Sequence, residues 1–197
     1  MGSLTQLQKS VVIGSILGDG SIRIVPGRKN ALLEINHSVF AKEYVDWKYS
    51  VLKDFVASPP KEYRSNGQRI AYRFWTRQHP EFSKFFRIFY ISGKKQIADE
   101  LKIDPIILAV WFMDDGSKCR DRDVYLNTQQ FCYLDQRKLV KKLKKIKLKA
   151  RINRDKSYFR LRFLKSDIKK FNQMIADYIV PSMRYKLSYD PVETRLK

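Results

Sequence analysis

The chain has 197 residues, 44% of them hydrophobic and 13% aromatic, which is ample for a packed core in one large or two small domains. Forty Lys and Arg against 20 Asp and Glu leave a formal net charge of +20, spread along the whole length, so a polyanion is the expected partner and nucleic acid fits better than a membrane surface. The start MGSLTQLQKS lacks a signal-peptide pattern, and no apolar stretch approaches the roughly 20 residues of a membrane span. The cysteines, Cys119 and Cys132, have neither metal-ligand spacing nor a framework to staple, so a reducing compartment is expected.

Residues 5–17 read as a helix that runs into SVVIGSILGDGSI. Short strands follow near 21–25 and 31–37, joined by a turn at Pro26-Gly27. The amphipathic stretch 40–55 places Phe40, Tyr44, Trp47, Val51 and Phe55 at helical spacing and predicts a core stripe. Strands are expected at 61–65 and 69–77 around an Asn66-Gly67 turn, then a helix over 80–90. The second half repeats the order: helix 104–114, a strand at 123–131, helix 135–147, strands near 149–153 and 157–163, and helix 165–179. The unit αββαββα used twice favours an α+β class with antiparallel sheets, divided into residues 1–98 and 99–197.

Aligned on Asp-Gly-Ser, VIGSILGDGS lies over LAVWFMDDGS, with Asp19 over Asp115, as an internal duplication would require. A carboxylate at a helix C-terminus meets the negative end of the helix dipole, so something should offset it. If the two helices pack side by side, Gly14, Ser15 and Ala109 permit close approach and bring the two acids together. Paired carboxylates resist ionisation unless a divalent cation sits between them. Mg²⁺ prefers hard oxygen ligands and suits one or two carboxylates plus a phosphate oxygen.

The strands alternate. In RIAYRFWTR, Arg69, Ala71, Arg73, Trp75 and Arg77 share one face, while Ile70, Tyr72, Phe74 and Thr76 share the other. Tyr158, Arg160 and Arg162 oppose Phe159, Leu161 and Phe163; Lys149, Arg151 and Asn153 oppose Ala150 and Ile152. Each half therefore offers an apolar face and an almost purely cationic face with amides and aromatics, a composition that favours nucleic acid over a merely solvated surface. The lysine coat of 135–147 either touches phosphates or is simply hydrated. His37, at a strand end, and His79, before Pro80, read as structural.

The blocks VIGSILGDG and LAVWFMDDG resemble the paired motifs of LAGLIDADG homing endonucleases in the monomeric, two-motif form. The similarity is strongest to the omega-type yeast mitochondrial intron enzymes, through LGDGSI, SPP, GKKQI, WFMDDGSK, YLNTQ and IVPSMRYKL, spread over about residues 12–187. The resemblance implies a pseudo-twofold saddle of concave sheets over duplex DNA, and site-specific, metal-dependent phosphodiester hydrolysis that leaves staggered ends at a long asymmetric target for intron homing. It assigns Asp19 and Asp115 as metal-binding acids, with the backbone of Gly18 and Asp114 as further candidate ligands. It assigns Lys95 and Lys186 as pocket lysines and Gln129 as a polar pocket residue. Aligning LEIN with LNTQ sets Asn36 opposite Gln129, and Asp114 matches a minor acidic position. Expected DNA contacts are Arg23, Arg69, Arg73, Trp75 and Arg77 in the first half. In the second they are Tyr125, Asn127, Lys149, Arg151, Asn153, Tyr158, Arg160 and Arg162. Mg²⁺ is the expected metal, Mn²⁺ a substitute, and Ca²⁺ a support for binding without cleavage. Departures at Val110 and Trp111, where the first motif has Gly14 and Ser15, imply an asymmetric helix interface.

Two other readings use the same surface: an intron RNA maturase, or a non-cleaving DNA-binding regulator. Retention of both acids and both lysines argues against a disabled site. A structural RNA-binding protein would leave the two Asp-Gly helix ends unexplained. The expected setting is an organelle, by the omega-type resemblance a mitochondrion, with the protein encoded in situ; a bacterial cytoplasm is the alternative.

Overall fold

The computed structural model describes residues 2–64, 69–119 and 123–188. The turn expected at Asn66-Gly67 lies outside the described residues. Helix α1 (Gln6–Leu17) begins at Thr5, whose hydroxyl accepts the Gln8 N–H while the Gln8 side chain accepts the Thr5 N–H. Then come β1 (Ser21–Ile24), β2 (Ala31–Ser38), α2 (Lys42–Leu52), β3 (Lys61–Arg64), β4 (Ile70–Trp75), α3 (Pro80–Phe89) and a short hairpin of β5 (Tyr90–Ile91) and β6 (Lys94–Lys95). The order recurs as α4 (Pro105–Asp115), β7 (Gly116–Cys119), β8 (Asp123–Leu126), α5 (Tyr133–Lys145), β9 (Ala150–Asp155), β10 (Tyr158–Phe163) and α6 (Ile168–Ile175).

Each repeat forms a four-stranded antiparallel sheet, ordered β1-β2-β4-β3 in one and β7-β8-β10-β9 in the other. Helices α2 and α3 cover the apolar face of the first sheet, and α5 lies on β9 and β10 of the second. Leu139 and Leu143 of α5 are fully buried while Arg137, Lys141 and Lys144 stay exposed, as the helical period dictates.

The motif helices α1 and α4 pack against each other through the middle of the core. Asp104 caps α4 by accepting the Ile107 N–H at 2.7 Å and also accepts the Ser10 hydroxyl of α1 at 2.5 Å, which ties the two helix starts together. The expected asymmetry is present: a Cβ on Gly14 would lie 2.6 Å from the Val110 Cβ and 2.9 Å from the Ile107 carbonyl oxygen. The valine fills the space that the glycine vacates.

Three expectations are corrected. Phe40 is 93% exposed rather than in the core, because Val39–Ala41 forms a separate 3₁₀ turn before α2, and its tighter period rotates Phe40 off the Tyr44 face. The strand expected at 123–131 stops at Leu126, since residues 127–130 leave the sheet to approach the motif helices. A strand, β7, starts directly at Gly116 and pairs with β8, where the sequence reading had none.

Candidate active site

The repeats end their motif helices differently. Helix α4 includes Asp115 as its last residue, whereas α1 stops at Leu17, so Asp19 lies beyond the helix in a turn. Lysines meet both ends. Lys95 Nζ, on the β5–β6 hairpin, donates to the Gly18 carbonyl at 2.7 Å. Lys186 Nζ, at the end of the 3₁₀ segment Pro181–Lys186, donates to the Met113 carbonyl at 2.5 Å and lies 3.4 Å from that of Asp114. These cations satisfy carbonyls at the negative helix ends and offset the dipole cost of the neighbouring acids. The Gly18 and Asp114 carbonyls, named as candidate metal ligands, thus face lysines in this structure.

Asp19 and Asp115 open into one cleft of about 290 Å³ with Gly18, Lys95, Asn127, Gln129 and Gln130. Burial raises the Asp115 carboxyl to about 7, and the charges of Asp19 and Asp114 add to the rise. Partial burial and then Asp114 raise Asp19, against the pull of Lys48, Lys95 and Lys186. Burial lowers Lys95 to about 8 and also lowers Lys186, with the acids opposing. Both carboxyls are raised by burial and by neighbouring acids although lysines stand near, and their hard oxygen donors, open to one cleft, fit a divalent metal.

Beneath Asp19 lies a buried cluster that the sequence reading did not anticipate. Asp114, expected to be a minor position, is fully buried and accepts Lys48 Nζ on both oxygens at 2.8 and 3.1 Å, the Tyr44 hydroxyl at 2.7 Å and the Asp19 N–H at 3.2 Å. His37, read as structural, has Nδ1 3.5 Å from an Asp19 oxygen and Nε2 3.5 Å from Asp114; burial lowers its pKa to about 4. Asp19, His37 and Asp114 bring ligand atoms within 4.8 Å of one another. The Lys48 ammonium already serves as the counter-cation of Asp114, so the cluster reads as an ion-pair hub, and Asp19 with Asp115 is the better metal pair. A signal did exist: Lys48 stands four residues after Tyr44 on the buried stripe of α2, an uncommon place for an unpaired cation.

The pocket amides bring one addition and one correction. Gln129 lines the cleft, and its neighbour Gln130, which the sequence did not single out, donates its Nε2 to the Leu17 carbonyl at 2.9 Å and to an Asp115 carboxylate oxygen at 3.1 Å. Ser21 pairs with Glu34 and Ser117 with Tyr125, so the register sets Asn36 opposite Asn127 rather than Gln129. The LEIN–LNTQ alignment was two residues out. Asn127 lines the cleft, while exposed Asn36 pairs with Arg73 across the first sheet.

On the sheets, the expected faces hold. Arg73 stacks on the rings of Tyr63 (3.9 Å) and Trp75 (4.7 Å), and β9–β10 pairing aligns Arg151 with Arg162 and Asn153 with Arg160. Arg69, Arg77, Lys149 and Tyr158 are exposed. Acids from neighbouring positions meet some of these cations: Arg23 pairs with Glu34 at 3.5 Å, Arg160 with Asp155 at 3.4 Å, and Arg162 with Asp123. Tyr125 is 7% exposed beneath Arg160, whose guanidinium stands 4.1 Å from its ring, so it supports the arginines instead of presenting an open face.

Comparisons with known proteins bear on this site. Over 202 residues the chain is 31% identical to a probable intron-encoded endonuclease 1 of Wickerhamomyces canadensis, covering 95% of this chain and 87% of that protein. It is 25% identical to a cytochrome b mRNA maturase bI2 of Debaryomyces hansenii, over 90% and 72% respectively. The solved structure of the homing endonuclease I-WcaI bound to its DNA recognition sequence matches with a TM-score of 0.89 and 30% identity, over 95% of this chain and 88% of that one. I-DmoI in complex with DNA and Ca matches with a TM-score of 0.59 at 13% identity, over 88% and 91%, a likeness of fold alone. The description "LAGLIDADG DNA endonuclease family" matches residues 9–171, so with both acids, both lysines and the duplicated sheets in place, the chain belongs to the LAGLIDADG DNA endonuclease family.

Proposed function

We propose that this endonuclease acts as a monomer on a long, asymmetric DNA duplex and leaves a staggered double-strand break in intron homing. The observation that carries this reading is the shared cleft in which Asp19 and Asp115, one from each repeat, meet between two arginine-bearing sheets. Unlike halves favour an unlike pair of half-sites. The division into residues 1–98 and 99–197 follows the repeat.

Asp19 and Asp115 would hold Mg²⁺, with Mn²⁺ as a substitute and Ca²⁺ supporting binding alone; the DNA and Ca complex of the I-DmoI neighbour supports divalent metal use. A bound divalent ion neutralises developing phosphoryl charge and acidifies water. The chain's own groups do the rest. Lys95, which lines the cleft, and Lys186, held on the Met113 and Asp114 carbonyls, would place positive charge beside the scissile phosphates. Gln130 fixes the Asp115 carboxylate by donating to it, and the sheet arginines and Asn153 address phosphates and base edges.

The test is cleavage of a randomised duplex library in Mg²⁺ by the wild type beside Asp19→Asn/Asp115→Asn, with cut ends sequenced. Discrete staggered ends from the wild type alone are expected. Intact cutting by the double variant would remove the two acids from the chemistry. A second role on intron RNA is favoured by the maturase relative and would appear as tight RNA binding at matched salt. Relatives described as intron-encoded and as an mRNA maturase support an organellar origin encoded in situ, with a bacterial host as the alternative.

A further inference from the structure

Whichever strand each acid serves, the two acids are held in place by different means. Asp115 sits inside the last turn of α4, where helix geometry fixes its backbone, and its N–H needs no outside partner. Asp19 lies two residues beyond α1, and its backbone N–H is accepted by a side chain from the other repeat, Asp114 Oδ2 at 3.2 Å. That carboxylate is held in turn by Lys48 and Tyr44 of α2, back in the first repeat, both fully buried. The contact is tight: a Cβ on Gly18 would lie 2.4 Å from the Asp114 Cβ, so glycine at 18 is what lets Asp114 reach Asp19. At the place equivalent to His37 the second repeat carries neutral groups instead. Register sets Thr128 opposite His37, and Thr128 bonds the neutral Gln136 at 3.0 Å.

We propose that the buried Lys48–Asp114 pair is a positioning device for one of the two catalytic acids, tethering Asp19 across the repeat interface, so that its loss slows one strand cut and spares the other. The inference rests on the endonuclease reading above. Lys48 and Asp114 are positioning residues: they act through the Asp19 backbone, and a displacement of the order of 1 Å at a catalytic group costs roughly 10²-fold in rate. Asp115, fixed by α4 itself, keeps its geometry without them. His37 packs against the same pair and helps close it from water.

The experiment uses a supercoiled plasmid that carries the target selected by the wild type, with cuts mapped on each strand over time. Lys48→Met/Asp114→Leu removes both buried charges at similar volume, which spares the fold the cost of an orphaned ion; its thermal unfolding is measured alongside. Lys48→Met alone is the companion variant. In the double variant, accumulation of nicked circle, with one and the same strand slowed by roughly ten-fold or more, is expected. Parallel slowing of both strands, or the wild-type ratio of strand rates, would overturn the proposal. Failure of the wild type to cut at all would instead remove the endonuclease reading, so the two failures are distinguishable.

Discussion

Asp115 holds its proton to about pH 7, because burial and the neighbouring acids penalise its charged form. An ordinary aspartate loses its proton near 3.8. Between those values the folded state binds more protons than the unfolded chain, so the metal-free protein loses stability as pH rises through that window. A divalent ion between Asp19 and Asp115 relieves the repulsion that deprotonation creates. Saturating Mg²⁺ is therefore expected to raise the unfolding temperature by several degrees more at about pH 8 than at about pH 5. Thermal scans with and without Mg²⁺ check this, and equal shifts at the two pH values would remove the acids as the binding pair. Lys95 works in the opposite window: lowered to about 8, it binds fewer protons when folded than when unfolded up to about 10.5, so its contribution to stability rises with pH there.

At the level of elements, the α1–α4 contact is where one atom matters. Gly14→Ala puts a methyl carbon 2.6 Å from the Val110 Cβ, and the nearby Ile107 carbonyl is backbone that cannot rotate away. A destabilisation of about 1–3 kcal/mol is expected from such overpacking, read as a lower urea midpoint with an unchanged slope. Adding Val110→Ala should return part of it, since the two sites share one space. Phe40 supplies the contrast: Phe40→Ser, at a site 93% exposed, should change stability by no more than about 0.5 kcal/mol in the same titration. Periodicity had put Phe40 and Tyr44 on one stripe, and the 3₁₀ turn that separates them depends on how β2 delivers the chain to α2. The two-sheet plan, by contrast, was readable from alternation in β4, β9 and β10, because strand period 2 is a local property.

For the whole molecule, a formal charge of +20 meeting duplex DNA makes affinity depend steeply on ionic strength. Binding of the selected target should fall by roughly 10³-fold or more between about 50 and 200 mM salt, measured by fluorescence anisotropy. The arginines should not contribute equally. Arg73 is held between two aromatic faces and has no acidic partner among the described residues, whereas Arg162 is already paired with Asp123. Arg73→Ala is expected to cost about 1–3 kcal/mol of target binding and Arg162→Ala less, because the latter arginine must first leave its carboxylate. No helix among the described residues is long and apolar enough to cross a membrane.

The sequence by itself determined the duplication, the two Asp-Gly motifs and the arginine faces of the strands, each written in adjacent residues or in a short period that survives without knowledge of neighbours in space. The two lysines were legible only through the resemblance of GKKQI and MRYKL to family blocks. Tertiary structure decided which glutamine reaches the acids, which asparagines are equivalent, and that Asp114, Lys48, Tyr44 and His37 form one buried cluster under Asp19. Lys48 and Asp114 are 66 positions apart, and nothing local marks them as partners. They meet because α2 of one repeat and α4 of the other pack on α1, and two charges removed from water together must find each other.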